Sequence, residues 1–145
     1  MRVVFALGMA LVLATGGCAR GSGGEPDAAP SDCGLLDVDP EADASKIPAA
    51  LVLDEGVEVA TTEVREGRLL AALNVRLSVD DSFTAYRKAL EETDLEILQE
   101  DNEGFEAELY VGDGKELGSL VIRRSVCDDA VVVYLNLPAA PGGRD

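Results

Sequence analysis

The sequence predicts an α+β domain, with a mostly antiparallel sheet of about six strands (β-β-α-β-β-β-β) and one helix packed on one face. Three observations predict it. Several short stretches alternate apolar with polar residues, which is the pattern of half-buried strands. One stretch carries apolar residues at helical spacing instead. Short turns join most of these stretches, and short turns favour antiparallel neighbours.

The first hairpin is predicted before the helix. Val57, Val59 and Thr61 alternate with polar residues and form its first strand. Glu66-Gly67 forms a short turn. The second strand has the clearest alternation in the chain, and one of its faces is formed by Leu69, Ala71, Leu73, Val75 and Leu77.

The helix is predicted to begin after Ser78. Ser78-Val79-Asp80-Asp81 is a variant of the capping box, and its acids lie in the first turn, where the helix macrodipole favours negative charge. Apolar side chains then recur at helical spacing, at Val79, Phe83, Tyr86, Ala89 and Leu90. Thr93-Asp94 closes the helix.

Four short strands are predicted after the helix. They cover Leu95–Gln99, Phe105–Val111, a stretch that contains Leu120 and Ile122, and Val131–Leu137. The turn Gly112-Asp113-Gly114-Lys115 between the second and third of them is a strong hairpin signal. The domain is therefore expected to span residues 47–138, and residues 139–145 are expected to be a disordered tail.

The N-terminus has the features of an export signal. Arg2 precedes an apolar stretch, Val3–Ala14, of about 12 residues, which is too short to cross a bilayer. Thr15-Gly16-Gly17-Cys18 resembles the lipobox of bacterial lipoproteins, with Thr where Leu is usual. The resemblance implies that residues 1–17 are a signal peptide and that Cys18 carries the lipid. An ordinary secretory signal, cut after Ala19, is the alternative.

This resemblance also implies a location. A lipidated Cys18 holds the protein on the membrane through its acyl chains. The expected location is the outer face of the bacterial cell membrane, facing the periplasm in a diderm. Residues 18–46 are rich in small and acidic residues that bury little surface, so we expect a flexible tether.

Two cysteines remain if Cys18 is acylated. Cys33 and Cys127 are expected to form a disulfide, because an exported chain meets an oxidising environment. A pair of free thiols in a redox or metal site is the alternative. The two cysteines lack the C-x-x-C spacing of such sites, and the chain has no histidine that could act as their partner.

Charge and motifs exclude several functions. The chain has 28 acidic and 12 basic residues, a net charge of −16 and no histidine, so nucleic acid is not an expected partner. No nucleophile motif or phosphate loop is present, and we expect no enzymatic activity and no cofactor. The acidic run Asp37–Asp43 alternates as a calcium loop does, but Ala42 replaces its glycine and Pro48 its bidentate glutamate. No metal is therefore expected.

The sheet face away from the helix is the predicted interaction surface. Aromatic and arginine side chains are typical of interfaces, and the candidate partner-binding residues are Tyr110, Tyr134, Arg76, Arg123, Val121 and Val132. We expect a monomeric, non-catalytic module that binds an envelope protein or a cell-wall component. A carrier of a small apolar ligand between helix and sheet is the alternative.

Three further expectations concern the fold and that face. The order of elements resembles small helix-on-sheet modules of bacterial envelope lipoproteins, of the helix-grip or TBP-like type. The segment from Leu35 to Leu53, held by Cys33, is the alternative use of the outer face: it would lie over part of that face and leave less of it open to a partner. Glu106 and Glu108 are expected to lie on the same strand face, with one or the other opposite Arg123, as solvated side chains rather than as a catalytic pair.

Overall fold

The computed structural model of the protein describes residues 33–53 and 56–139. This part contains a six-stranded antiparallel sheet and one α-helix, which confirms the predicted fold class. Its elements are β1 (Val57–Arg65), β2 (Arg68–Val75), α1 (Val79–Leu90), β3 (Glu96–Asn102), β4 (Glu106–Gly112), β5 (Leu117–Arg124) and β6 (Val131–Pro138). The predicted signal peptide, Cys18 and residues 140–145 lie outside the described residues.

The strands lie in the spatial order β1-β2-β6-β5-β4-β3. The last strand, β6, therefore lies inside the sheet, where it pairs with β2 on one side and with β5 on the other. The helix provides the long connection from β2 to β3 at the far edge. Both edge strands, β1 and β3, contain an irregularity in register, between Val59 and Thr61 and between Ile97 and Gln99.

Local sequence explains the turn and the helix cap. Glu66 and Gly67 both have positive φ, 53° and 78°, as the type I′ turn of a two-residue hairpin requires. The Ser78 Oγ accepts a hydrogen bond from the backbone N–H of Asp81 at 3.1 Å and donates one to its Oδ2 at 2.7 Å. These contacts confirm Ser78 as the N-cap.

The helix covers only part of one sheet face, here called the inner face. It packs against β3, β4 and β5. Between them lie fully buried side chains, including Tyr86, Leu90, Leu109, Val111 and Ile122. The opposite half of the inner face, over β1 and β2, needs a different cover.

That cover comes from residues 33–53, here called the N-terminal segment. It forms two short 3-10 turns, Ala44–Lys46 and Ala49–Leu51. The first contacts β1 and the second contacts α1. Ile47 and Leu51 are buried in the same hydrophobic core as the helix and the sheet. The segment therefore completes the core that the helix leaves open.

The folded domain starts earlier than the sequence predicts. Residues up to 46 were expected to belong to a flexible tether, but the stretch from Cys33 is fixed on the sheet. The backbone N–H of Asp39 donates to the Ala60 carbonyl at 2.8 Å, and that of Asp43 donates to the Thr62 Oγ1 at 2.7 Å. From composition alone, this stretch has too little surface to bury to offset the conformational entropy that it loses on ordering. These hydrogen bonds to the sheet help to offset that loss.

The N-terminal segment passes around the β1 edge from one face to the other. Leu36 is hydrogen-bonded to Asn74, which lies on the outer face, opposite the helix. Asp39 then meets β1 at its irregular point, Ala60, which is fully buried. Thr62, the contact of Asp43, pairs with Ala71 of the inner face. The segment thus covers the middle of this edge strand.

Two buried hydroxyls lie beneath the helix. The Ser82 Oγ and the Tyr86 Oη are buried and have no hydrogen-bond partner within the described part of the chain. Burial raises the pKa of Tyr86, because the charged phenolate is disfavoured away from water. Each hydroxyl is a destabilising feature in an otherwise apolar layer.

Substituting Tyr86→Phe is expected to stabilise the protein by about 1 kcal/mol, because it removes a buried polar group without changing the ring. Urea denaturation of the full chain measures the change in the free energy of unfolding. Tyr110→Phe is the matched control, because its hydroxyl is hydrogen-bonded; no gain is expected there. A loss of stability in Tyr86→Phe would show that its hydroxyl has a partner.

Candidate functional site

The outer face carries its side chains in rows that cross the strands. In one row Leu70 pairs with Asn136, which pairs with Ser119, which pairs with Tyr110. In the next row the order is Ala72, Tyr134, Val121 and Glu108. Alternation along the strands places both rows opposite the helix. The sheet, rather than a loop, therefore positions these side chains.

A groove of about 830 Å³ lies over these rows. Its apolar lining includes Leu36, Leu70, Ala72, Val121 and Tyr134. The exposed fractions of Leu70 and Tyr134 are 38% and 39%, so these large side chains are open to solvent. Their exposure on a continuous face is typical of an interaction surface.

The N-terminal segment forms one side of the groove. The backbone N–H of Leu36 donates to the Asn74 Oδ1 at 3.0 Å, and the Asn74 Nδ2 donates to the Leu36 carbonyl at 2.8 Å. Asn74 is buried, and this reciprocal pair gives its side-chain amide the hydrogen bonds that water cannot supply there. The expectation that this segment lies over part of the outer face is confirmed for its first residues.

A disulfide holds the start of this segment. The Sγ atoms of Cys33 and Cys127 are 2.04 Å apart, which confirms the predicted pairing. The backbone N–H of Val126 also donates to the Cys33 carbonyl at 2.9 Å. The bridge therefore ties the N-terminal segment to the loop between β5 and β6.

Two predicted tyrosines lie on the outer face, on either side of β5. Tyr134 lines the groove, and its neighbour across the strands is Val121. Tyr110, on β4, donates from its Oη to the Glu108 Oε2 at 2.7 Å. This hydrogen bond, together with the charge of Glu108, raises the pKa of Tyr110, because both favour the protonated phenol.

The other three predicted residues contribute less to the groove. Arg123 forms an ion pair through its Nε with Glu106, as expected for opposing strand residues. Arg76 is exposed beyond the end of β2, outside the lining of the groove. Val132 is only 5% exposed, in the row that contains the covered Asn74, so its predicted exposure was wrong. The reason is that the N-terminal segment packs over this end of the face.

Sequence reasoning missed several residues of the groove, among them Leu36, Asp39 and Glu63. Leu36 and Asp39 belong to the stretch interpreted as a tether, and Glu63 is an exposed residue of β1. The available signal was the apolar pair Leu35-Leu36, which begins two residues after a cysteine expected to be bridged. A bridged cysteine brings its neighbours onto the domain surface.

A smaller, acidic depression lies beside the groove. It has a volume of about 190 Å³ and is lined by Asp101, Glu103, Glu106, Ala107 and Glu108. Arg123 neutralises part of its charge through Glu106. Within residues 33–53 and 56–139, no group of three or more potential ligand side chains is placed to hold a metal ion.

The fold and the site define a small α+β domain with one open, grooved sheet face. Comparison of the chain with protein-family models, with curated proteins and with solved structures gives no match.

No helix in the described ranges is long and apolar enough to cross a membrane.

Proposed function

We propose that this protein is a bacterial lipoprotein, anchored to the outer face of the cell membrane through Cys18, that binds an envelope protein or cell-wall component without catalysis. The observation that carries the proposal is the open groove on the outer face, with Tyr134, Val121 and Leu70 in its lining. Aromatic and aliphatic side chains held on a rigid sheet need little ordering on binding, which favours affinity.

The location of the groove supports a partner-binding role over a carrier role. The space between α1 and the sheet is filled by the protein's own side chains, among them Tyr86, Leu90 and Leu109, which are fully buried. The outer groove, by contrast, is open to solvent. A partner reaches it without any movement of the helix.

The lipobox resemblance supports the anchor. Cys33 is held to the domain by the disulfide, and residues 19–32 lie between it and the proposed lipid on Cys18. A disulfide between Cys33 and Cys127 is also consistent with an exported chain, because such bonds persist in oxidising compartments.

A variant of the groove tests the binding role. Tyr134→Ala combined with Val121→Ser is expected to weaken association with the native partner about tenfold, because central aromatic contacts often contribute more than 1 kcal/mol. Photo-crosslinking in the producing cells, from a benzoylphenylalanine placed at Leu70, measures the association. Phe105→Ala is the matched control, since this aromatic side chain is exposed outside the groove.

Equal crosslinking by the groove variant and the wild type would overturn the binding role. Circular dichroism of both purified proteins shows that the fold is retained. The anchor is tested separately with Cys18→Ser, which is expected to move the protein from the membrane fraction to the soluble one. Retention of that variant in the membrane fraction would contradict the lipid anchor.

A further inference from the structure

The charges beside the groove indicate the chemistry of its partner. We infer that the groove binds an extended protein segment with cationic side chains at its two ends and apolar side chains between them. This inference rests on the proposed function and specifies its partner. The apolar floor of the groove is formed by the sheet residues Leu70, Ala72, Val121 and Tyr134. The inference follows from the positions of the carboxylates beside this floor, from the contacts that already engage the nearby arginines, and from the width of the floor.

Carboxylates flank the apolar floor on both sides. Glu63 of β1 pairs with Leu70, and Asp39 lines the same side of the groove. On the other side Glu108 of β4 pairs with Val121. Leu70 and Val121 belong to the floor, so each side of it ends in negative charge.

The nearby cations do not neutralise these groups. Arg68 is held by Asn136, because its Nε donates to the Asn136 Oδ1 at 3.0 Å and its Nη2 donates to the carbonyl at 3.1 Å. Arg65 pairs with Arg68 and lies with it in the next row, towards the β1–β2 turn. Arg123 is engaged by Glu106. Glu63 has no ion pair in the described part of the chain, so a cation on the partner would supply one.

The spacing of the two sides fits a short extended segment. Glu63 and Glu108 lie on β1 and β4, which are four strand spacings apart in the sheet order. At about 4.8 Å per spacing, this is about 19 Å. An extended chain covers that distance in about six or seven residues. Two cationic residues at its ends, with two apolar residues between them on the same side, would match the floor.

The overall charge favours the same partner. With a net charge of −16, the protein attracts cationic chains and repels anionic polymers and anionic lipid headgroups. Among envelope components, a basic and apolar protein segment therefore fits the groove better than an anionic wall polymer. Beyond this general attraction, Glu63 and Glu108 would fix where along the partner segment its two cationic side chains must lie.

Two synthetic peptides test the inference against the full-length protein, purified in mild detergent. The probe is Lys-Thr-Leu-Thr-Leu-Thr-Lys, and the comparison peptide has Glu in place of both Lys; each carries a fluorescent label. Fluorescence anisotropy gives the dissociation constants. The lysine peptide is expected to bind, and the glutamate peptide is expected to bind at least tenfold more weakly.

Protein variants separate a local effect from a general charge effect. Glu63→Gln with Glu108→Gln is expected to raise the dissociation constant of the lysine peptide about fivefold, because each substitution removes one exposed ion pair and such pairs are individually weak. Glu91→Gln with Glu92→Gln changes the net charge equally at the end of the helix, where both side chains are exposed. A change of less than twofold is expected for this control.

Three outcomes would overturn the inference: no binding of the lysine peptide up to about 1 mM, equal binding of both peptides, or equal losses in the two double variants. The crosslinking experiment separates this failure from failure of the proposed function. If the crosslink still depends on Tyr134 and Val121, the groove binds a partner of different chemistry. If it does not, the proposed function fails as well.

Discussion

Replacing both Cys33 and Cys127 by Ser is expected to lower the free energy of unfolding by about 3–5 kcal/mol. The bridge joins residues 94 positions apart, so it closes a long loop and restricts the unfolded chain strongly. Domains of this size are stable by about 5–15 kcal/mol in total. The variant is therefore expected to unfold at a much lower urea concentration than the wild type.

Urea denaturation of the full chain measures this loss. Both cysteines are replaced, because a single remaining thiol is able to form a disulfide with the same thiol of a second copy of the chain. The wild type treated with a reductant is the control and should unfold at the same urea concentration as the variant. Hydrogen exchange at the Leu36 amide is also expected to become faster, because the N-terminal segment, which forms one side of the groove, is no longer held by the disulfide. A loss below 1 kcal/mol would contradict this role of the bridge.

Leu51→Ala is expected to lower the free energy of unfolding by about 3 kcal/mol. Leu51 is 0% exposed and packs in the core, although it belongs to the N-terminal segment. Truncating a fully buried leucine loses its transfer free energy and leaves a cavity, at a typical cost of 2–5 kcal/mol, roughly. Urea denaturation with an unchanged m-value measures this effect.

Val38→Ala is the matched control for Leu51→Ala. It removes apolar atoms from the same segment, but Val38 is 44% exposed. Its effect is expected to stay within about 0.5 kcal/mol. Equal and small effects of the two substitutions would show that the N-terminal segment contributes little to the core.

Features that depend on neighbouring residues were predictable from the sequence. Ser78 caps the helix through contacts three residues away, so its pattern is visible locally. The alternation in β2 likewise identifies the face that packs on the core, and Glu66-Gly67 identifies a tight turn. Each of these signals lies within a few residues of the structure that it specifies.

The disulfide aside, the individual contacts between distant residues were not predictable. The reciprocal contact of Leu36 with Asn74 joins positions 38 residues apart, and no local pattern announces it. Composition alone made the first part of the N-terminal segment look like a tether. The same missing contact explains why Val132 was expected to be exposed. For the candidate site, the sheet residues and the presence of the segment held by Cys33 over part of the face were thus predictable, but the individual contacts of that segment were not.

The two edges of the sheet have a consequence for crowding. An uncovered edge strand presents unpaired backbone groups that recruit another copy of the chain, which leads to aggregation. Here the N-terminal segment blocks the middle of β1. The irregular β3 carries Glu96, Glu100 and Asp101, whose charges repel a second copy. If the proposed lipid concentrates copies of the protein on a membrane, both edges therefore oppose edge-to-edge polymerisation. The groove on the outer face, between the two edges, stays open.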